Sequence, residues 1–341
     1  MIILSNCLTV SPDEGSRKVA DSLVRRIREA EPDAVVVTYE SSSGISDVHL
    51  TLNKCLLSGK LVSLLRNGQP PLLYLPSPAK MLPLAVRSLV LRMSGGGGPK
   101  IVLTMPFPFD RLSKWLMKVS GAELIVISRS ALEYYRSFLG ERVHYLKLGV
   151  DTGRFCPVEA DRKAELREKY GIPKDKKVVL HVGHLNAGRN VGTLLSIAPE
   201  FHTVLVVSTQ TADHQDMQLR SLLLAKENMT LLDSYLPDIQ ELYQLADIYL
   251  FPVQNPESCI DAPLSALEAA ACGISVVATP YGELKELLAH DGFYPLEDMK
   301  PEAVNELLRK VAAQGCSPRE SVLEYDWNHA AENLLRMIKR K

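Results

Sequence analysis

Short apolar runs alternate with longer amphipathic stretches in two successive series, and that rhythm restricts the chain to parallel-sheet architectures more than any other feature. In the first series the runs are Ile2–Leu4, Ala34–Val37, Leu72–Leu75, Ile101–Thr104 and Leu124–Ile127. Apolar runs this short, bounded by helical patterns, are the mark of βαβ units. The rhythm restarts at Lys177-Val-Val-Leu-His-Val182 and continues through Val204–Val207, Thr230–Leu232, Ile248–Phe251 and Ser275–Ala278. A polar, charged stretch from about 158 to 176 separates the two series.

The expected fold class is therefore α/β, with two Rossmann-like, doubly wound parallel-sheet domains facing each other across a cleft. We place them at residues 1–160 and 161–325, with a C-terminal helix in 326–341 packing back on the first domain. A chain of 341 residues is long enough to bury two cores. The tail reads as a helix from Pro301 to Ala313, Ser317-Pro318, then an amphipathic helix opened by Asp326-Trp327-Asn328 and ending in Lys339-Arg340-Lys341.

Bulk composition excludes several classes. With 46% hydrophobic residues, 23% charged residues and a formal net charge of -1, the global charge names no partner, and nucleic acid is not expected as one. The cysteines at 7, 55, 156, 259, 272 and 316 show no zinc or redox spacing and follow no secretory signal, which points to a reducing, cytoplasmic setting. No apolar run reaches the roughly 18 residues that span a bilayer.

The common catalytic signatures are missing. Gly95–Gly98 runs into Pro99-Lys100-Ile101 and so fails the P-loop pattern; it reads as a flexible loop. The first strand leads into Ser5-Asn6-Cys7 and then Asp13-Glu14-Gly15-Ser16, without the glycine fingerprint of a nicotinamide site. There is no G-x-S-x-G elbow, no H-E-x-x-H pair, and no aspartate pair spaced to hold a metal on a nucleotide sugar. We expect neither a cofactor nor a metal.

Two segments of the second half do carry chemistry. The strand ending at Val182 enters Gly183-His184-Leu185-Asn186-Ala187-Gly188-Arg189-Asn190-Val191, a glycine turn at a strand's carboxyl end with basic groups one and six residues on. That edge of a doubly wound sheet is where ligands bind, and a cation there suits a diphosphate leaving group. Arg189 is the candidate, although Gly183 could serve only a tight turn and Arg189 only a solvated helix start.

The other segment is Cys259-Ile-Asp-Ala-Pro-Leu-Ser-Ala-Leu-Glu268-Ala-Ala-Ala-Cys-Gly273, a loop entering a helix that Pro263 opens and Gly273 stops. Backbone N–H groups from Ala262 to Leu264 would form an anion site, and Glu268 could accept hydrogen bonds from a ribose. The structural alternatives are Asp261 as an N-cap and Ser265-x-x-Glu268 as a capping box.

Together these segments resemble glycosyltransferase family 4, the retaining enzymes of the GT-B fold also grouped as glycosyl transferases group 1, over nearly the whole chain. Further agreement lies in Gly149-Val-Asp151 with Phe155, Leu166-Arg-Glu-Lys-Tyr-Gly171, Leu242-Tyr243 with Ala246-Asp247 and Pro252, and Tyr325-Asp-Trp327. The resemblance implies a nucleotide-sugar co-substrate bound by the second domain and an acceptor bound by the first. It places Tyr235-Leu236-Pro237 around the base, Glu268 on the ribose, and Gly183 with Arg189 on the diphosphate; His184, Asn190 and Ala262-Pro263-Leu264 are counted with them as donor-binding. Gly15-Ser16 would face the phosphates from the opposite wall.

It also implies two glutamates separated by seven residues, and the first of these falls on Ile260, which cannot bond a sugar hydroxyl. Asp261, one residue later, is the candidate replacement and is grouped with Arg189 and His184 as catalytic. His184 stands where a permanent cation is usual and is mostly neutral near pH 7. The histidine often found after the fourth or fifth strand has no counterpart in Leu103-Thr-Met-Pro-Phe-Pro-Phe-Asp110.

Between residues 50 and 120 the chain holds ten basic residues against the single acidic Asp110. Arg111, Lys114 and Lys118 interleave with Leu112, Trp115, Leu116 and Met117, a pattern suited to an anionic bilayer. With Lys80 and Arg87 they form an expected surface for a lipid-linked or cell-envelope glycan acceptor on the cytoplasmic face of the membrane. The main rival reading is a catalytically silent GT-B subunit supporting a partner glycosyltransferase; a sugar-nucleotide epimerase or a phosphorylase on the same fold is the other.

Overall fold

The computed structural model describes residues 1–9, 14–40, 43–95, 97–208 and 216–339. Asp13 of the first loop, Gly96 of the glycine run, and Arg340 and Lys341 of the basic tail lie outside the described residues. By its contacts the chain divides into two compact units. Unit 1 is Met1–Gly149, Ile260–Ala262 and Trp327–Lys341; unit 2 is Val150–Cys259 and Pro263–Asp326. The chain passes from unit 1 to unit 2 at 149/150, ahead of the polar stretch, because that stretch itself folds as helix Ala160–Lys169 of unit 2.

Unit 1 is built on strands β1 (Ile2–Ser5), β2 (Val35–Thr38), β3 (Val48–His49), β4 (Leu72–Leu75), β5 (Lys100–Leu103), β6 (Glu123–Val126) and β7 (Val143–Tyr145). All pair in parallel in the order β3-β2-β1-β4-β5-β6-β7. The five central strands are those read from the apolar runs; β3 and β7 are two- and three-residue edge strands. Helices α1 (Gly15–Ala30), α2 (Gly59–Arg66), α3 (Met81–Gly95), α4 (Arg111–Ser120) and α5 (Arg129–Leu139) connect them. α1 buries Val19, Ala20, Leu23, Val24 and Ile27, the spacing of one helical face, and each valine, leucine or isoleucine among them contributes about 1.5–3 kcal/mol on full burial.

Not every basic residue of the 50–120 block faces solvent. Lys100 is buried and its Nζ lies 2.6 Å from Glu123 Oε1, whose other oxygen is 2.8 Å from His144 Nε2. The bonds from His144 and Lys100 hold the Glu123 carboxyl down at about 2. Arg66 donates to Ser94 O and Arg87 to Lys54 O.

Unit 2 has α6 (Ala160–Lys169), α7 (Met217–Leu224), α8 (Gln240–Leu245), α9 (Leu264–Ala271), α10 (Leu284–Leu287) and α11 (Pro301–Gln314) around a second parallel sheet. Its strands are β8 (Lys177–Gly183), β9 (Phe201–Val207), β10 (Met229–Leu232), β11 (Ile248–Phe251), β12 (Ser275–Ala278) and β13 (Phe293–Pro295), ordered β10-β9-β8-β11-β12-β13. The order reverses between β8 and β11, which makes their carboxyl ends the switch point where doubly wound sheets hold ligands. In unit 1 the corresponding reversal lies between β1 and β4.

The last helix, α12 (Trp327–Lys339), belongs to unit 1, where it packs on α1 through a face of Ala330, Ala331, Leu334, Leu335 and Ile338. Gly149 permits this: a Cβ there would stand 2.3 Å from the Trp327 nitrogen. All six cysteines are free thiols.

Candidate functional site

The carboxyl end of β8 delivers Gly183, and the chain then turns through a short 3-10 segment, Ala187–Arg189. Asn186 caps that turn, its side-chain oxygen accepting from the Arg189 N–H at 3.0 Å, and Asn190 takes a left-handed backbone (φ 54°) to leave it. This geometry folds the Arg189 side chain back over the strand end, where it is buried. Its Nε donates to Ser258 O at 2.7 Å, and Nη1 lies 2.7 Å from where a Cβ on Gly183 would stand. Gly188 is needed as well, since a Cβ there would fall 1.9 Å from Ser258 Oγ. Both glycines of the turn are thus explained by close approach.

His184 is half-buried beside the same guanidinium. Burial first, and the Arg189 charge second, push its pKa down to about 4, so near pH 7 it is a neutral ring. Arg189 is the permanent cation of the turn.

The second segment also reaches the switch point. Pro263 caps α9 rather than opening its first turn, and having no N–H it contributes no donor, so it drops out of the expected Ala262–Leu264 donors. The Ala266 and Leu267 N–H groups both turn back to Pro263 O, so the helix start presents the N–H of Leu264 and Ser265. Ser265 is no capping residue: its Oγ accepts from the Tyr249 hydroxyl at 2.7 Å. Glu268 lies mid-helix and buried, accepting from the Tyr243 hydroxyl at 2.7 Å, and Tyr243 packs edge-on against Phe155. Gly273 (φ 76°) ends the segment as expected.

Sequence reasoning did not find Arg319. Its guanidinium donates to Ala271 O at the end of α9 and to Thr152 O and Phe155 O, fixing the helix against the 152–155 segment. Arg154 holds the other expected ligand loop, with Nε on Gln240 Oε1 at 2.9 Å and Nη2 on Pro237 O. That leaves Tyr235 58% exposed beside half-buried Leu236, a ring with a face available for stacking.

Ile260 and Asp261 are placed differently. Together with Ala262 they count with unit 1, where the Ile260 side chain packs directly over Gly15 at the start of α1; a Cβ on Gly15 would meet it at 3.0–3.3 Å. Asp261 is buried. Its N–H donates to Thr104 O at 2.8 Å, and its carboxylate accepts from the hydroxyl of Ser128, the residue that caps α5. It does not cap α9. Ser16 follows Gly15 into α1, buried.

On α4, Leu112, Trp115 and Val119 are exposed at 55%, 59% and 43%, flanked by exposed Arg111 and Lys118 and by Lys114, whose Nζ lies 4.9 Å from the Phe138 ring centre. Lys80 is exposed just ahead of α3. Among the described residues no helix is long and apolar enough to cross a membrane, and no three His, Cys, Asp or Glu side chains cluster as a metal site.

Two doubly wound parallel-sheet units, the second with a cation and a helix start at its switch point, define a protein of the GT-B glycosyltransferase fold. Residues 162–325, nearly all of unit 2, match the family model described as glycosyl transferases group 1. It is 26% identical over 318 residues to an alpha-maltose-1-phosphate synthase of Mycolicibacterium smegmatis, covering 83% of this chain and 76% of that one. To a D-inositol 3-phosphate glycosyltransferase of Salinispora arenicola it is 28% identical over 229 residues, 58% of this chain and about half (49%) of the relative. Among solved structures, Anabaena Alr3699/HepE in complex with UDP-glucose superposes with a TM-score of 0.72 at 16% identity, covering 99% of both chains.

Proposed function

We propose that unit 2 binds a nucleotide-diphosphate sugar and that the chain transfers the sugar, with retained anomeric configuration, to a glycan or lipid-linked acceptor held by unit 1. The observation that carries this is the buried Arg189 guanidinium folded over Gly183 at the β8–β11 switch point. Diphosphate oxygens would be met there by Arg189 and by the N–H groups at the start of α9, with the helix dipole behind them. Glu268, oriented by Tyr243, would take the ribose hydroxyls, and Tyr235 and Leu236 the base.

In the transfer step the bond between the anomeric carbon and the leaving phosphate oxygen breaks. The acceptor oxygen bonds to that carbon from the same face and gives its proton to the departing phosphate. Arg189 stabilises the charge that develops on the leaving group, and neutral His184 can donate one ring N–H to it. No metal is required in this scheme. The occurrence of UDP-glucose on a protein of the same fold makes it the first donor to try.

Calorimetric titration with UDP, GDP and ADP should show micromolar binding of one of them. Turnover of its sugar conjugate should persist in EDTA and yield a product whose anomeric proton, by NMR, keeps the donor's configuration. Ile260 over Gly15 favours the second reading, a silent subunit, because apolar packing stands where a sugar-bonding carboxylate is expected. Nucleotide binding without any turnover would select it.

The exposed Leu112, Trp115 and Val119 with their three cations fit an anionic bilayer surface. The chain should co-sediment with vesicles of 30 mol % (about one lipid in three) phosphatidylglycerol and far less with neutral ones, as expected for a few basic residues contributing about 1 kcal/mol each. Equal binding of wild type and Trp115→Glu would remove α4 from the membrane reading.

A further inference from the structure

One buried ring nitrogen beside Arg189, His181 Nε2, has no hydrogen-bond partner among the described residues. Side chains two residues apart on a strand share a face, so β8 places His181 on the same face as Gly183. The His181 ring is fully buried, with Nδ1 2.8 Å from Leu250 O. A carbonyl only accepts, so Nδ1 carries the proton of the neutral ring and Nε2 is a bare lone pair, shielded from solvent and without a hydrogen bond. Leaving such an acceptor unpaired costs about 1–3 kcal/mol, which makes it a group prepared for something else.

What it faces is the notch that Gly183 leaves open. The position of a Cβ on Gly183 is 3.3 Å from His181 Nε2 and 2.7 Å from Arg189 Nη1, so the lone pair and the cation converge there. Of the elements packed on the ring, β11 supplies Tyr249, stacked at 6.4 Å and 13°, with its hydroxyl on Ser265. On α9, Glu268 is engaged by Tyr243. The charge that acts on His181 is Arg189, which adds to burial in pushing the ring down to about 4.

We propose that His181 is a positioning residue of the diphosphate site, and that binding of a diphosphate ester there is coupled to uptake of one proton at His181 Nε2. The inference rests on the donor-site reading of unit 2. The proton comes from solvent; the Nδ1–H stays on Leu250 O, and the imidazolium becomes a second cation beside Arg189. When the diphosphate leaves, the proton leaves with it to solvent. The sign follows from the surroundings: burial, with the Arg189 charge added, holds the ligand-free ring neutral, whereas two phosphate charges against the notch favour the charged form and raise the pKa. Affinity therefore rises as pH falls through the raised pKa and levels off below about 4, where the ligand-free ring is itself protonated.

UDP-glucose, GDP-mannose and ADP-glucose are suitable probes, since as diphosphate diesters they have no phosphate proton to exchange near neutral pH. Each is titrated into the full chain between pH 6 and 8 in PIPES and in imidazole, buffers of unlike ionisation enthalpy. The expected result is a fractional proton uptake that approaches one toward pH 6, with affinity changing by up to about tenfold per pH unit. His181→Phe should bind without uptake, while His184→Gln should bind more weakly and retain it. Equal heats in both buffers, or uptake that survives in His181→Phe, would overturn the coupling while leaving the donor site intact. If none of the probes binds, the donor-site reading fails and the coupling falls with it. Should His181→Phe not fold, the ring nitrogen resonances of the wild type decide: saturation must move Nε2 of His181 from the unprotonated to the protonated range, and an unmoved resonance refutes the proposal.

Discussion

Arg189→Ala is expected to weaken binding of the nucleotide-diphosphate ligand by about 10- to 100-fold, the effect of removing charge-assisted hydrogen bonds worth about 1.5–3 kcal/mol. The bond from Nε to Ser258 O fixes the base of the guanidinium fork, so the Nη groups stand at the strand end without the entropy loss that an exposed arginine would suffer. Two further variants separate position from charge. Gly183→Ala keeps the cation but puts a Cβ 2.7 Å from Nη1 and 3.4 Å from Cζ, so the guanidinium must move, and binding should fall nearly as far as in Arg189→Ala. Arg189→Lys keeps a charge while losing the Ser258 anchor, and should fall between wild type and Arg189→Ala. Calorimetry with the preferred nucleotide measures all three. Unchanged affinity in both Arg189→Ala and Gly183→Ala would show that this turn does not hold phosphate.

The parts of this arrangement that could be read from sequence are those governed by local pattern. The nine central strands are near-continuous apolar runs because parallel strands are buried on both faces, and they are legible for that reason, while the half-buried edge strand β10 is legible from its own short apolar run. β3, β7 and β13 are not: at two or three residues each, and including His49, His144 and Pro295 respectively, they carry no periodicity and exist because a neighbouring strand offers a free edge. The switch-point turn was legible from Gly183 and Arg189, and the helix stop from Gly273. The contacts that orient the site were not, since Ser258 O, Tyr243, Tyr249 and Arg319 reach it over separations of 16 to 167 residues. His181 does carry a sequence signal, as a polar residue inside an apolar strand, two positions before the glycine and so on its face. Pro263 shows the opposite case: its place at the helix start is legible, and so is its lack of an N–H, which removes it from the donors there.

Asp261 offers the sharpest test of how far a motif can be carried across a one-residue shift. Its carboxylate accepts from Ser128 Oγ, which in turn accepts from the Ala131 N–H as the cap of α5, and its own N–H is on Thr104 O. These bonds and the packing of Ile260 on Gly15 tie 260–262 into unit 1, with a negative group at the positive end of α5. On this geometry Asp261→Ala should cost about 1–3 kcal/mol, the penalty of stranding a buried hydroxyl. For a unit of this size that is a fall in melting temperature of about 2–4 °C per kcal/mol. Ser128→Ala should cost a similar amount, and the double variant distinctly less than the sum, because each single change already breaks the shared bond. Nucleotide binding, which draws on Arg189 and α9, should change little beyond the loss of folded protein. A residue that instead bonds the transferred sugar would behave otherwise: Asp261→Asn, nearly isosteric, would leave the melting temperature in place and remove turnover. Melting curves of the four variants with initial rates on the same samples distinguish a structural clasp from a catalytic carboxylate, because only the clasp predicts that Ser128 and Asp261 lose stability together.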